Sequence, residues 1–298
     1  MFIDNKGDPT LANQELKAIA DAESSPSSEP LSHISSGLES GLTNLHLQNN
    51  SDSSLFSVRT STALQNGKGT FASTDIQRGC LMLSEIPLFH TPTVTSLDAP
   101  EPRSYISLEA AVRKLSPAHL DGYLSLQNSH DTCSCFRSPL LGIFNTNSFI
   151  ISDGHSGICL TASRFNHSCT PNASFGFNAS IGMMRCFALR DIPRGEEIFV
   201  SYIDRRQLYG GTRGSRQAYL RATYHFTCAC SVCSLPESES KRSDARRQRL
   251  KELWEIVGRS TPTQEDQSLK AINEGVRLLQ EEGCLIEADD FMREDCPM

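Results

Sequence analysis

Three cysteines, Cys228, Cys230 and Cys233, fall within the six residues "CACSVC". This spacing restricts the fold more than any other feature of the chain. A tight turn can bring three thiolates onto one small sphere, and zinc takes four soft ligands in a tetrahedron. The fourth ligand is not in the cluster. His225, just upstream, is one candidate. Cys169, in "RFNHSCTPNASF" (164–175), is the other, provided the fold carries that segment to the cluster. A further pair, Cys133 and Cys135, lacks a third partner and reads as ordinary thiols.

Whether the cysteines read as ligands or as disulfides depends on the compartment. The opening "MFIDNKGDPT" has no basic start followed by an apolar run, so a reducing compartment, nucleus or cytoplasm, is the expectation for a chain with 11 cysteines. No stretch approaches the roughly 18 apolar residues of a membrane span. Residues 1–54 hold eight acids and two bases, hence −6 of the net −7. The remainder is nearly neutral, which argues against direct nucleic-acid binding. The hydrophobic fraction of 38% is low for a fully folded chain, and the Ser-rich acidic stretch 1–54 is expected to be disordered and dispensable for folding.

From Leu55 the pattern changes. "LFSVRTS" alternates like a strand, and "GKGTFASTDIQRGCLMLSEIPLF" reads as two strands about a turn at Gln77–Gly79. A Pro-rich linker, "TPTVTSLDAPEPRS", leads to a helical insert over 105–128 with a break at Ser116–Pro117. "MMRCFALRDIPRGEEIFVSYI" holds two more strands about a turn at Pro193–Gly195. Leu250, Leu253, Trp254 and Val257 share one helical face, as do Leu269, Ile272, Val276 and Leu279. The basic run "KRSDARRQR" reads as a solvated first turn, and the acidic end 281–298 as frayed. No internal repeat is evident. The class is α+β, a β-rich core with a helical insert and short C-terminal helices.

The remaining motifs are weak alone. "GKG" (67–69) lets backbone approach a ligand closely, yet most such triplets are plain turns. In "GEEIFVSY" (195–202) a Gly-led turn starts a strand whose far end presents Tyr202. In order, "GKGTFASTDIQRG", "NTNSF", "RFNHSCTPNASF", "RDIPRGEEIFVSYID" and "RQAYLRATYHFTCACSVC" closely resemble a SET-domain protein lysine methyltransferase, nearest the SET-and-MYND type and its fungal relatives without the MYND finger.

The resemblance implies a SET domain over 55–205, a zinc-binding post-SET segment over 206–240 and a helical extension over 241–298. It implies knot-like threading of the Asn-His-Ser-Cys segment by the Gly-Glu-Glu…Tyr segment. It implies S-adenosylmethionine at Lys68, Gly69, Asn147, Asn166 and His167, an aromatic wall of Tyr224 and Phe226, and Tyr202 at both the cofactor and the reacting methyl. It makes Cys169 the fourth zinc ligand beside Cys228, Cys230 and Cys233, and leaves His225 an ordinary residue. The implied partner is a protein presenting a lysine, histone or not, for a chromatin-regulating, monomeric enzyme. The linker stands where larger relatives carry the MYND finger, and the C-terminal helical part is shorter than theirs, so substrate docking must differ. The competing classes are a SET-like scaffold without turnover and a zinc-dependent nucleic-acid binder.

Overall fold

The structure is a computed structural model, and it describes residues 55–61, 67–92, 102–130, 138–152, 154–259 and 265–284. The stretch 1–54, the cysteines at 133 and 135, and the end beyond 284 lie outside the described residues.

Small sheets build the core. β1 (Phe56–Thr60) pairs antiparallel with β2 (Lys68–Ala72). β3 (Leu81–Glu85) joins a three-stranded sheet with the later strands β9 (Met183–Ala188) and β8 (Ala173–Asn178), in the order β3-β9-β8. The central β9, "MMRCFA", is mostly apolar because both of its sides are covered. β4 (Phe89–Pro92), β6 (His155–Ile158) and β5 (Ser148–Ser152) form a second antiparallel sheet. Two short strands, β7 (Asn166–His167) and β10 (Phe199–Val200), pair in parallel.

The turns at Gly79 (φ 79°) and Gly195 (φ 88°) both need the left-handed region, which glycine enters without a Cβ clash. They also belong to a short repeat that shows no sequence period. "DIQRG" (75–79) and "DIPRG" (191–195) face one another about a local two-fold. Ile76 and Ile192 exchange backbone hydrogen bonds of 2.9 and 2.8 Å. The Arg78 and Arg194 amides donate to Asp191 and Asp75, each at 2.8 Å. Five residues are too few to register as periodicity, and only the pairing reveals the relation.

The insert comprises α1 (Pro102–Arg113), α2 (Pro117–Leu124) and α3 (Pro139–Asn147). Ser116 and Ser138 cap α2 and α3, each followed by proline at the first helical position. The sequence pattern does not mark α3 as a helix. Leu140, Leu141, Gly142, Ile143 and Phe144 are all buried, so the helix shows no polar face and its run cannot be told from a strand by period.

After the core come α4 (Arg205–Gly210), α5 (Arg213–Tyr224), α6 (Glu237–Arg259) and α7 (Glu265–Glu281). Leu250 and Leu253 are buried as expected, but α7 buries Ala271, Leu278 and Leu279 while Leu269 is 57% exposed. The basic run is not a solvated turn. Arg246 and Arg247 both reach Glu282, at 2.6 and 2.8 Å, and Arg247 is wholly buried. Their pairing holds Glu282 in the core, past the point where fraying was expected.

Candidate active site and metal centre

The parallel contact of β7 and β10 sets Asn166 opposite Phe199 and His167 opposite Val200. Asn172, 1% exposed, fastens the crossing. Its Nδ2 donates to the Glu197 carbonyl at 2.9 Å, and its Oδ1 accepts from the Phe199 amide at 2.7 Å. One asparagine thus stands in for a strand neighbour on both donor and acceptor sides.

The polar side chains on this crossing have partners that fix them. Asn166 Nδ2 donates to Glu197 Oε1 at 2.7 Å and to the Lys68 carbonyl at 3.0 Å. Glu197 Oε2 accepts from Ser61 Oγ at 2.8 Å. Glu197 was not singled out in the sequence, although it is the second glutamate of "GEE". Gly69 packs against this pair: an added Cβ would stand 2.2 Å from Glu197 Oε1 and 2.8 Å from Asn166 Nδ2. Gly69→Ala is therefore expected to break the Asn166–Glu197 bond and cost about 1–3 kcal/mol of stability. Urea unfolding measures that loss, and unchanged stability would contradict the packing described.

His167 has both ring nitrogens engaged. Nδ1 accepts from the Tyr202 amide at 3.0 Å, and Nε2 lies 3.4 Å from Cys169 Sγ. Burial brings the imidazole down to about 4, so at neutral pH it is uncharged with its proton on Nε2, directed at the sulfur. The ring has no nitrogen left unengaged.

Tyr202 Oη donates to the Phe165 carbonyl at 2.7 Å. Burial first, then Tyr224 and Glu197, push the phenol well up, so it stays protonated. Helix α5 ends at His225, whose left-handed φ of 56° turns the chain. On either side of that turn Tyr224 and Phe226 face Tyr202, with ring centroids 5.1 and 6.5 Å away. His167 closes the group, 6.2 Å from Phe226. Burial pushes the Tyr224 phenol up to about 12.

Two of the sequence candidates stand off this cluster. Asn147 gives its amide nitrogen to the Gln127 and Ile143 carbonyls, both at 2.7 Å, and meets the segment leading to Asn166 through Ser163 Oγ at 3.3 Å. Lys68 lines an open cleft of about 560 Å³ with Arg59 and Arg164.

Beneath the aromatic cluster, the sulfurs of Cys169, Cys228, Cys230 and Cys233 all lie within 4.8 Å of one another. His225 is not among them. A zinc tetrathiolate with bonds of about 2.3 Å has sulfur–sulfur edges of about 3.8 Å, and Cys169 and Cys233 are 3.6 Å apart. That is too long for a disulfide. Hydrogen bonds among the sulfurs, Cys169 first, push the Cys228 thiol up and pull the Cys230 thiol down. The donor set fits zinc, and the cluster could bind it.

Comparison with known proteins matches residues 67–203 to the SET domain. The chain contains a SET domain. Its fold is a SET fold of mixed sheets and helices, with the Asn166–Cys169 and Glu196–Tyr202 segments inside the matched range. The chain is 30% identical over 218 residues to the histone-lysine N-methyltransferase set5 of Schizosaccharomyces pombe, covering 72% of this chain and 63% of that protein. It is 42% identical over 88 residues to the protein-lysine N-trimethyltransferase SMYD5 of Danio rerio, covering 30% and 21%. It is 31% identical over 166 residues to the N-lysine methyltransferase SMYD2-A of Xenopus laevis, covering 53% and 37%. The chain spans less than two thirds of the length of each of these relatives. Among the described residues no helix is long and apolar enough to cross a membrane.

Proposed function

We propose that this chain is an S-adenosylmethionine-dependent protein-lysine N-methyltransferase with a structural zinc. One observation carries the reading. The Tyr202 hydroxyl, its proton committed to the Phe165 carbonyl, stands among Tyr224, Phe226 and His167 beside Asn166. S-adenosylmethionine would supply an electrophilic sulfonium methyl there. Asn166, Gly69, Lys68, Asn147 and the His167 backbone would hold the cofactor, and Tyr224 and Phe226 would give a cation-tolerant aromatic wall.

The chemistry asks little more of the chain. Deprotonating a free lysine of pKa about 10.4 at pH 7.4 costs about 4 kcal/mol. Enclosure by Tyr202, Tyr224 and Phe226 disfavours the ammonium and lowers that cost. Because Tyr202 donates to Phe165, its oxygen lone pairs are free to accept from the amine and from the polarised methyl. Holding amine and methyl in line removes the entropy cost of their encounter.

In this reading the β7–β10 crossing locked by Asn172 is the knot-like threading of the family. The SET unit spans 55–205, the zinc-bound post-SET loop 206–240 and the helical extension 241–298. A histone lysine is the substrate class favoured by the fission-yeast relative's name, which points to chromatin. Isothermal titration tests the reading: the chain should bind S-adenosylmethionine once per chain, and Asn166→Ala should weaken that binding. A folded, zinc-loaded chain with no measurable binding would contradict it.

A further inference from the structure

Arg247, on α6, is wholly buried, and each nitrogen of its guanidinium has a partner. Nε donates to Glu282 Oε2 at 2.8 Å, Nη1 to the Leu208 carbonyl at 2.7 Å and Nη2 to the Cys169 carbonyl at 3.2 Å. One planar fork thus ties together the residue after α7, helix α4 and the segment that follows β7. Glu282 is fixed in turn. Its Oε1 accepts from Arg246 Nε at 2.6 Å, and its Oε2 also accepts from Ser243 Oγ at 2.7 Å. The carboxylate orients the guanidinium, and the guanidinium reaches Cys169.

The two parts of the site meet at Cys169. Its sulfur lies within 4.8 Å of those of Cys228, Cys230 and Cys233, and 3.4 Å from His167 Nε2. His167 Nδ1 accepts from the Tyr202 amide at 3.0 Å. Hydrogen bonds therefore run from Glu282 through Arg247 to the Cys169 backbone, and from the Cys169 sulfur through His167 to Tyr202. A buried ion pair is weak evidence for stability, because a well-packed apolar pair serves as well. An apolar pair could not supply a donor to the Cys169 carbonyl.

We propose that Arg247, oriented by Glu282, is a positioning residue for Cys169, and through it for the metal centre and for Tyr202. It is neither a ligand nor a catalytic residue. The metal part of the proposal rests on the four cysteines holding zinc, and the Tyr202 part rests on neither zinc nor methyl transfer.

The test uses the full chain with Arg247→Lys, and with Arg247→Met combined with Glu282→Met. Lysine keeps the charge opposite Glu282 but lacks the fork that spans three acceptors. The double variant removes both buried charges together, so neither is left unpaired. Zinc affinity is read by chelator competition. Exchange of the Tyr202 amide proton is read by NMR against that of Leu253, which shares helix α6 with Arg247 and a core with Cys169. Both variants should bind zinc about 10-fold more weakly, as loss of an outer-shell partner does. In both, exchange at Tyr202 should quicken about 10-fold more than at Leu253, because general loosening of the core would quicken the two alike. Parent zinc affinity in either variant, or Tyr202 exchange that rises no more than that of Leu253, would make Arg247 a packing residue and overturn the proposal. A parent chain that binds no zinc would instead overturn the zinc reading beneath it, and the Tyr202 comparison would then decide the positioning role alone.

Discussion

Cys169→Ser should abolish zinc binding and unfold the C-terminal half of the chain. Cys169 is wholly buried and belongs at once to the sulfur cluster and to the core of Ile203, Leu208, Leu220, Leu250 and Leu253. A structural zinc site contributes about 10–16 kcal/mol of apparent binding energy. That equals or exceeds the roughly 5–15 kcal/mol by which whole domains are stable. Serine is a poor ligand for this soft site, and its hydroxyl would sit unsatisfied among thiols. The damage should also reach Tyr202, because His167 lies between Cys169 Sγ and the Tyr202 amide. Zinc content by mass spectrometry of the native chain, with hydrogen exchange over 203–284, measures both effects. A serine variant that keeps one zinc and the parent's protection would contradict the assignment.

Tyr202→Phe should lower the rate of methyl transfer about 100- to 1000-fold, the loss typical of one donor or acceptor at a developing charge. The ring and its contacts with Tyr224 and Phe226 remain, so cofactor affinity should change little. Loss of the hydroxyl leaves the Phe165 carbonyl without this donor and costs about 1–3 kcal/mol of stability. Asn166→Ala provides the contrast, since it removes a group proposed to hold the cofactor and should raise its Kd. Single-turnover rates and titrations on both variants separate the roles. Equal damage to cofactor binding in the two, or an unchanged rate in Tyr202→Phe, would place a different residue at the methyl.

The cysteine spacing was enough to pose a metal centre, and the ordered motifs were enough to point to a SET fold. Less was visible where a residue acts by whom it meets. Glu197 and Asn172 are ordinary polar letters until the crossing of β7 and β10 makes one the partner of Asn166 and the other a lock on the backbone. Arg247 reads as a helix-surface charge because local pattern carries no record of the carboxylate that lies across the core. Helix α3 hid because burial of most of its length erased the polar stripe that marks an amphipathic helix. Leu269 misled for the opposite reason, since it continues an apolar face by spacing but is mostly exposed.

The most direct test is turnover itself. Zinc-loaded chain, S-adenosylmethionine and a mixture of nuclear proteins are incubated, and methylated sites are read by mass spectrometry against a Tyr202→Phe control. The account predicts new methyl groups on lysine side chains with the parent chain and a large loss of them with the variant. A parent chain that binds the cofactor yet methylates no lysine, or a Tyr202→Phe chain that methylates as fast as the parent, would contradict it.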